Sequence, residues 1–137
     1  MNQPLYTTEI LRLAASLLPF EPLSGASGAA ERRSTTCGST IRTEVRLEGD
    51  RLVEMRQKVN ACAFGQASAA LTQQVAMGRT APEVRLLRQR FADWLTGTAE
   101  DAEPFAPLLP ARTKTARHSA MLLPLDTLIA ALEKARP

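Results

Sequence analysis

Aromatic residues are scarce in this chain, at 4% of it, with one tryptophan and one tyrosine. Base-stacking platforms for single-stranded nucleic acid need several exposed rings, so composition argues against that class. Long apolar runs are also missing. No segment approaches the roughly 20 apolar residues of a membrane span. The stretch from Leu5 to Leu18 is broken by Glu9 and Arg12, and it lacks the basic leader and small-residue cleavage site of a secretion signal. Charge of one sign is in short supply: 17 basic residues face 14 acidic ones, for a net +3. So small an excess suits an acidic protein partner as well as nucleic acid. The densest basic run, Arg85, Arg88 and Arg90, reads as the solvated face of a helix. Cysteine and histidine are nearly absent, being limited to Cys37, Cys62 and His118. Two thiols without a secretion signal are expected to stay reduced, which places the protein in the cytoplasm.

What remains is enough for a core without disulfide staples. Hydrophobic residues make up 45% of 137 residues, chiefly Leu, Ala and Val, and residues 1–137 are read as one domain. Ile10, Leu13, Ala14 and Leu17 recur at helical spacing, so a first helix is predicted over Tyr6 to Leu18, capped by Thr7 or Thr8 and stopped by Pro19. Phe20 to Ala30 reads as a mobile loop rich in Pro, Gly, Ser and Ala. Its Gly25 and Gly28 do not make a phosphate cradle, because no strand precedes them and no Gly-Lys-Ser follows.

From Ser39 the period becomes two. Ile41, Thr43, Val45 and Leu47 point one way; after Gly49-Asp50, Val53, Met55, Gln57 and Val59 continue a second alternating strand. This is a β-hairpin with Cys37 just before its first strand and Cys62 just after its second. Antiparallel pairing brings those two ends side by side. An alanine-rich helix is expected from Cys62 to about Met77, with Gly78 at its end. Thr80-Ala81-Pro82-Glu83 is a capping box that opens another helix, with Val84, Leu87, Phe91, Trp94 and Leu95 as its stripe. Thr98 to Thr115 shows little regular pattern. A last helix is expected from Met121 to Ala135, with Pro124 in its first turn.

Thiolates bind soft and borderline metals, and imidazole suits zinc and iron. The spacing of Cys37, Cys62 and His118 matches no zinc-finger pattern, and a cysteine can equally serve as a small apolar core residue. Placement favours reactivity. Cys62 opens a helix whose unpaired N–H groups can face an anionic sulfur, and Cys37 precedes Gly38 in a turn. On spacing alone, His118 reads as a partly exposed residue between Arg117 and Ser119 rather than as a ligand.

At these segments the chain resembles the iron–sulfur cluster assembly scaffolds, the family of the NifU N-terminal domain, IscU and SufU. Leu5-Tyr6 followed by Ile10-Leu11 is similar to the family's first-helix motif. Cys37-Gly38 resembles its first ligand motif, and Cys62 followed by Gln66-Ala67-Ser68-Ala69 resembles its second. Arg117-His118-Ser119-Ala120 falls where the family carries a third cysteine, and the long preceding loop is similar to an insertion in the SufU branch. The resemblance implies an α+β fold, with a small antiparallel sheet of about three strands covered by helices on one face. The segment around Ala29 to Ser34 would supply the third strand.

The resemblance also implies a function, a non-catalytic scaffold that gathers iron and sulfur on Cys37, Cys62 and His118 and passes the cluster on. Its partners would be a cysteine desulfurase and recipient apo-proteins. Two departures bear on this. Ser39 stands where the family has an aspartate near the metal, so Ser39, water or a partner's sulfur would complete the shell. Leu109-Pro110-Ala111-Arg112 does not preserve the chaperone-recognition motif of the IscU branch. The alternatives are a zinc-bound, SufU-like sulfur acceptor and a docking protein without metal.

Overall fold

The computed structural model describes residues 6–35, 38–101 and 103–135; Cys37 lies outside them. Helix α1 spans Thr8–Ala15, and Thr7 Oγ1 accepts the Ile10 amide at its start. It ends earlier than the apolar spacing predicts. The Ser16 hydroxyl donates to the Leu13 carbonyl at 2.6 Å, and its amide bonds back to the same carbonyl. The last turn is closed there, short of Pro19.

Three antiparallel strands follow in the spatial order β1-β2-β3: β1 is Gly28–Arg33, β2 Thr40–Glu48 and β3 Arg51–Asn60. β1 is the third strand expected around Ala29 to Ser34. The residues before it, expected as a mobile loop, are tied to β2. Leu23 N–H donates to Glu44 Oε1 at 2.8 Å, Ser27 N–H to the Val45 carbonyl, and Leu47 N–H to Ser27 Oγ. Glu44 is therefore buried although it belongs to the polar face of its strand.

The β2–β3 register holds from Thr40↔Asn60 to Arg46↔Glu54, then shifts so that Leu47 faces Leu52. One extra residue in β3 is a bulge, and it inverts the side-chain alternation beyond it. Hence Leu52 is fully buried while Val53, expected on the core face with Met55 and Gln57, is 36% exposed.

Helix α2 (Ala63–Ala76) runs against the inner face of β3, and α4 (His118–Lys134) against β1 and β2. α1 packs on α2, and α3 (Ala81–Leu95) packs on α4. The architecture is α+β, with helices on one face of the sheet. Gly78 follows α2 at φ +80°, a left-handed turn that only glycine adopts without cost. It lets Gly78 N–H reach the Leu52 carbonyl and Leu52 N–H reach Arg79, pinning the α2–α3 turn to the start of β3. The capping box opens α3 as expected: Thr80 Oγ1 accepts from the Glu83 amide, and the Glu83 carboxylate accepts from the Thr80 amide. These bonds hold the Glu83 carboxyl below its usual pKa.

The segment after α3 is more regular than its sequence suggests. Two 3-10 turns, Ala106–Ala111 and Thr115–Arg117, lead into α4. Phe105 stacks on Phe91 at 4.0 Å, and Leu108 and Ala111 are fully buried. Proline-rich composition hid these anchors, which are single residues without period. Because α4 begins at His118, Pro124 sits in its second turn rather than its first. A proline there removes one N–H and crowds the carbonyl four residues back. In this stretch the Ser68 hydroxyl donates to the Met121 carbonyl at 2.5 Å.

Candidate metal centre

Cys62 is the N-cap of α2, in extended backbone at ψ 171°, and its carbonyl accepts the Gln66 amide at 2.9 Å. Its sulfur makes no capping hydrogen bond, and the residue is half-buried. The thiol is thus placed at a helix start without being used to hold it. Phe64, in the same first turn, is fully buried and packs against Tyr6 with ring centroids 5.1 Å apart.

His118 is the first residue of α4 and half-buried. Its Nε2 lies 2.7 Å from the Arg112 carbonyl. A carbonyl only accepts, so Nε2 carries the proton and the neutral ring keeps its lone pair on Nδ1. An imidazole held through one nitrogen by a backbone carbonyl, with the other open, is the usual arrangement of a metal-ligating histidine.

The starts of α2 and α4 are packed together. A Cβ on Gly65 would lie 2.8 Å from the Ala61 Cβ and 3.4 Å from the Ala120 carbonyl oxygen, so α4 passes close to the first turn of α2. The β1–β2 turn reaches the same end. Ser34 N–H donates to the Ser39 carbonyl at 2.8 Å across it, and Ser34 Oγ lies 2.8 Å from Ser119 Oγ. Thr40 and Asn60, the strand ends nearest to Cys37 and Cys62 in sequence, are cross-strand partners. The elements flanking all three expected ligands therefore meet at one end of the sheet, although Cys37 itself is outside the described residues.

No cluster of three His, Cys, Asp or Glu able to hold a metal ion occurs among the described residues. Ser39 is buried at 5% exposure. Asp126 lies about 12 Å along α4 from His118 by helical rise, and its carboxylate takes the Arg88 guanidinium at 2.8 Å. Asp50 sits in the β2–β3 turn, at the far end of the hairpin from Asn60. Neither carboxylate belongs to this end of the molecule. What sequence reasoning missed is Arg112. Its carbonyl fixes the His118 ring, while its side chain donates to the Trp94 and Ala99 carbonyls at 2.7 and 3.1 Å. A lone arginine in a proline-rich stretch carries no pattern that would reveal this.

With this geometry the fold can be compared with known proteins. No family model matches the chain, and no curated protein matches it in sequence. Solved structures do. The N-terminal part of a nitrogen-fixing NifU-like protein from Brucella abortus superposes with a TM-score of 0.84 at 27% identity, covering 95% of this chain and 93% of that one. A candidate iron–sulfur cluster assembly scaffold protein for the SUF system, SufU of Fervidobacterium islandicum AW-1, gives 0.83 at 23% identity, covering 93% and 96%. A hypothetical protein of known structure gives 0.81 at 22%, covering 94% and 97%. The chain thus has the fold of the NifU-like and SufU scaffold proteins. At 22–27% identity the likeness is one of fold, and it agrees with the resemblance in the cysteine segments.

Proposed function

We propose that this protein is an iron–sulfur cluster assembly scaffold that holds iron and sulfur transiently on Cys37, Cys62 and His118. The observation that carries the reading is the meeting of the β1–β2 turn, the start of α2 and the start of α4 at one end of the sheet. The donor set suits such cargo: thiolate sulfur from two cysteines and a neutral imidazole whose free nitrogen is already selected. Half-burial of Cys62 and His118 lets a donor reach the site and a cluster leave it.

Sulfur would arrive from a cysteine desulfurase. The Cys62 thiolate attacks the outer sulfur of the donor's persulfide, the S–S bond breaks, and the donor leaves as a thiolate. No electrons are exchanged in that transfer. Reducing the transferred sulfur to sulfide takes two electrons per atom from an external reductant. The finished cluster then passes to an apo-protein. This work belongs to the cytoplasm, where thiols stay reduced.

A second reading keeps the site and changes the metal. Ser39 replaces a carboxylate, and no Asp or Glu joins Cys62 and His118 among the described residues. Two thiolates and one imidazole make a zinc-compatible set with an open fourth position, suited to accepting persulfide sulfur. Metal and acid-labile sulfide content of anaerobically purified protein separates the readings. Iron and sulfide in equal amounts after reconstitution, lost in Cys62→Ala, is the result expected of the scaffold. Zinc with no cluster formed would transfer the weight to sulfur acceptance. Neither metal in wild type would sink both readings, leaving a docking protein.

A further inference from the structure

The cations of this chain are sorted, and the sorting coincides with the site. No aspartate or glutamate occurs between Glu31 and Glu44, between Glu54 and Glu83, or between Glu103 and Asp126. Those intervals hold nine of the 17 basic residues, and they are the intervals that contain Cys37, Cys62 and His118. All 14 carboxylates share the rest of the chain with the remaining cations.

The structure places the consequence at one end. Arg33 closes β1 opposite Thr40, and Lys58 lies two residues before the end of β3. Lys114 and Arg117 flank the short turn that enters α4 at His118. Arg33, Lys58 and Lys114 are exposed and Arg117 is half-buried; none has an ion-pair partner among the described residues. Within the same intervals Arg42 and Arg56 are paired, with Glu44 and Glu54, and elsewhere most cations are paired. On α3, Arg85, Arg88 and Arg90 pair with Glu133, Asp126 and Asp101. On the hairpin, Arg46 pairs with Glu54. The carboxylates bordering the cationic end do little to neutralise it. Glu44 is taken by Arg42 and the Leu23 amide, and Glu31 faces Arg42 across the strands. Unpaired like charges at one end repel one another and weaken the fold, whereas a single-sign field steers a partner of opposite sign.

We propose that this end of the molecule docks the acidic face of a partner protein, whose carboxylates supply the charge that this chain lacks around Cys62. That the partner brings or takes sulfur or a cluster rests on the proposed function; the docking itself rests on the charge. Protein is favoured over nucleic acid because a stacking platform needs several exposed rings, and among the described residues this end offers only Tyr6, half of whose surface is covered as it packs on the buried Phe64.

The test compares two charge-reversal pairs in the full chain. Arg33→Glu/Lys114→Glu alters the site end. Arg85→Glu/Lys134→Glu makes the same charge change away from it, Lys134 lying about 24 Å along α4 from His118 by helical rise and Arg85 pairing with the neighbouring Glu133. Binding to immobilised poly-L-glutamate is measured against salt concentration, with duplex DNA and single-stranded RNA as parallel probes. The expected result is poly-glutamate binding that weakens about tenfold and loses salt dependence in the site-end pair, with less than about twofold change in the remote pair. Equal effects of the two pairs, or no binding by wild type, would overturn the proposal. Tighter binding of either nucleic acid, lost in the same site-end pair, would overturn it in favour of a nucleic-acid partner. Iron and sulfide loading is read on the same proteins, which keep Cys37, Cys62 and His118. Docking as expected with no loading of wild type leaves the surface standing and removes the proposed function.

Discussion

At the scale of single residues, the proposed site is defined as much by Ser39 and His118 as by its two cysteines. His118 stands where the resemblance to the scaffolds implies a cysteine, and the Arg112 carbonyl fixes its ring through Nε2. Ser39, where the resemblance implies an aspartate, is buried. A carboxylate introduced there would lose most of its hydration, a cost repaid only when a cation is close. Ser39→Asp is therefore expected to lower the melting temperature of metal-free protein and to recover it when zinc or ferrous iron is added. Thermal unfolding with and without metal checks this, and an unchanged difference between the two proteins would place Ser39 away from the metal. The cysteines were legible in the sequence because hairpin topology alone places their flanks together. The histidine's orientation was not, since it depends on a backbone carbonyl six residues away.

Among the elements, the contact that matters most for the site is the close passage of α4 over α2. Small residues permit it: Gly65, Ser68 and Ala120 lie at the crossing, and Ser68 is fully buried with its hydroxyl on the Met121 carbonyl. Gly65→Ala would gain up to about 1 kcal/mol of helix propensity. It would also force a methyl group to 2.8 Å from the Ala61 Cβ, an overpacking cost of about 1–3 kcal/mol. Overpacking wins, so denaturant unfolding should show a net loss of about 1 kcal/mol, together with weaker metal retention as Ala61, next to Cys62, is displaced. A gain in stability would show that Ala61 has room to shift.

Element types followed from local rules: the period-two hairpin, the capping box at Thr80 and the glycine stop after α2 all lie where spacing places them. The failures have physical causes too. The bulge in β3 moved Leu52 inward and Val53 outward, and a hydrophobic pattern cannot announce a bulge. The last helix starts at His118, three residues before its expected start, because the preceding 3-10 turn runs straight into it.

For the molecule as a whole, no helix among the described residues is long and apolar enough to cross a membrane. Its charges are partitioned, with ion pairs on α3 and unpaired cations around the thiol. The segment between α3 and α4 joins these two regions, and its sequence concealed that role behind prolines. Phe105 is stacked on Phe91, and Arg112 lies over the Trp94 ring at 5.1 Å while its carbonyl holds His118. Trp94 is 2% exposed and is the only tryptophan in the chain. Loading His118 with zinc should therefore shift tryptophan emission without any attached dye, and Arg112→Ala should abolish the response by cutting the link at its middle. An emission spectrum indifferent to zinc that nonetheless binds would show that the ring and the imidazole move independently. If the proposed site fills, the molecule's own tryptophan would thus report its occupancy through one arginine.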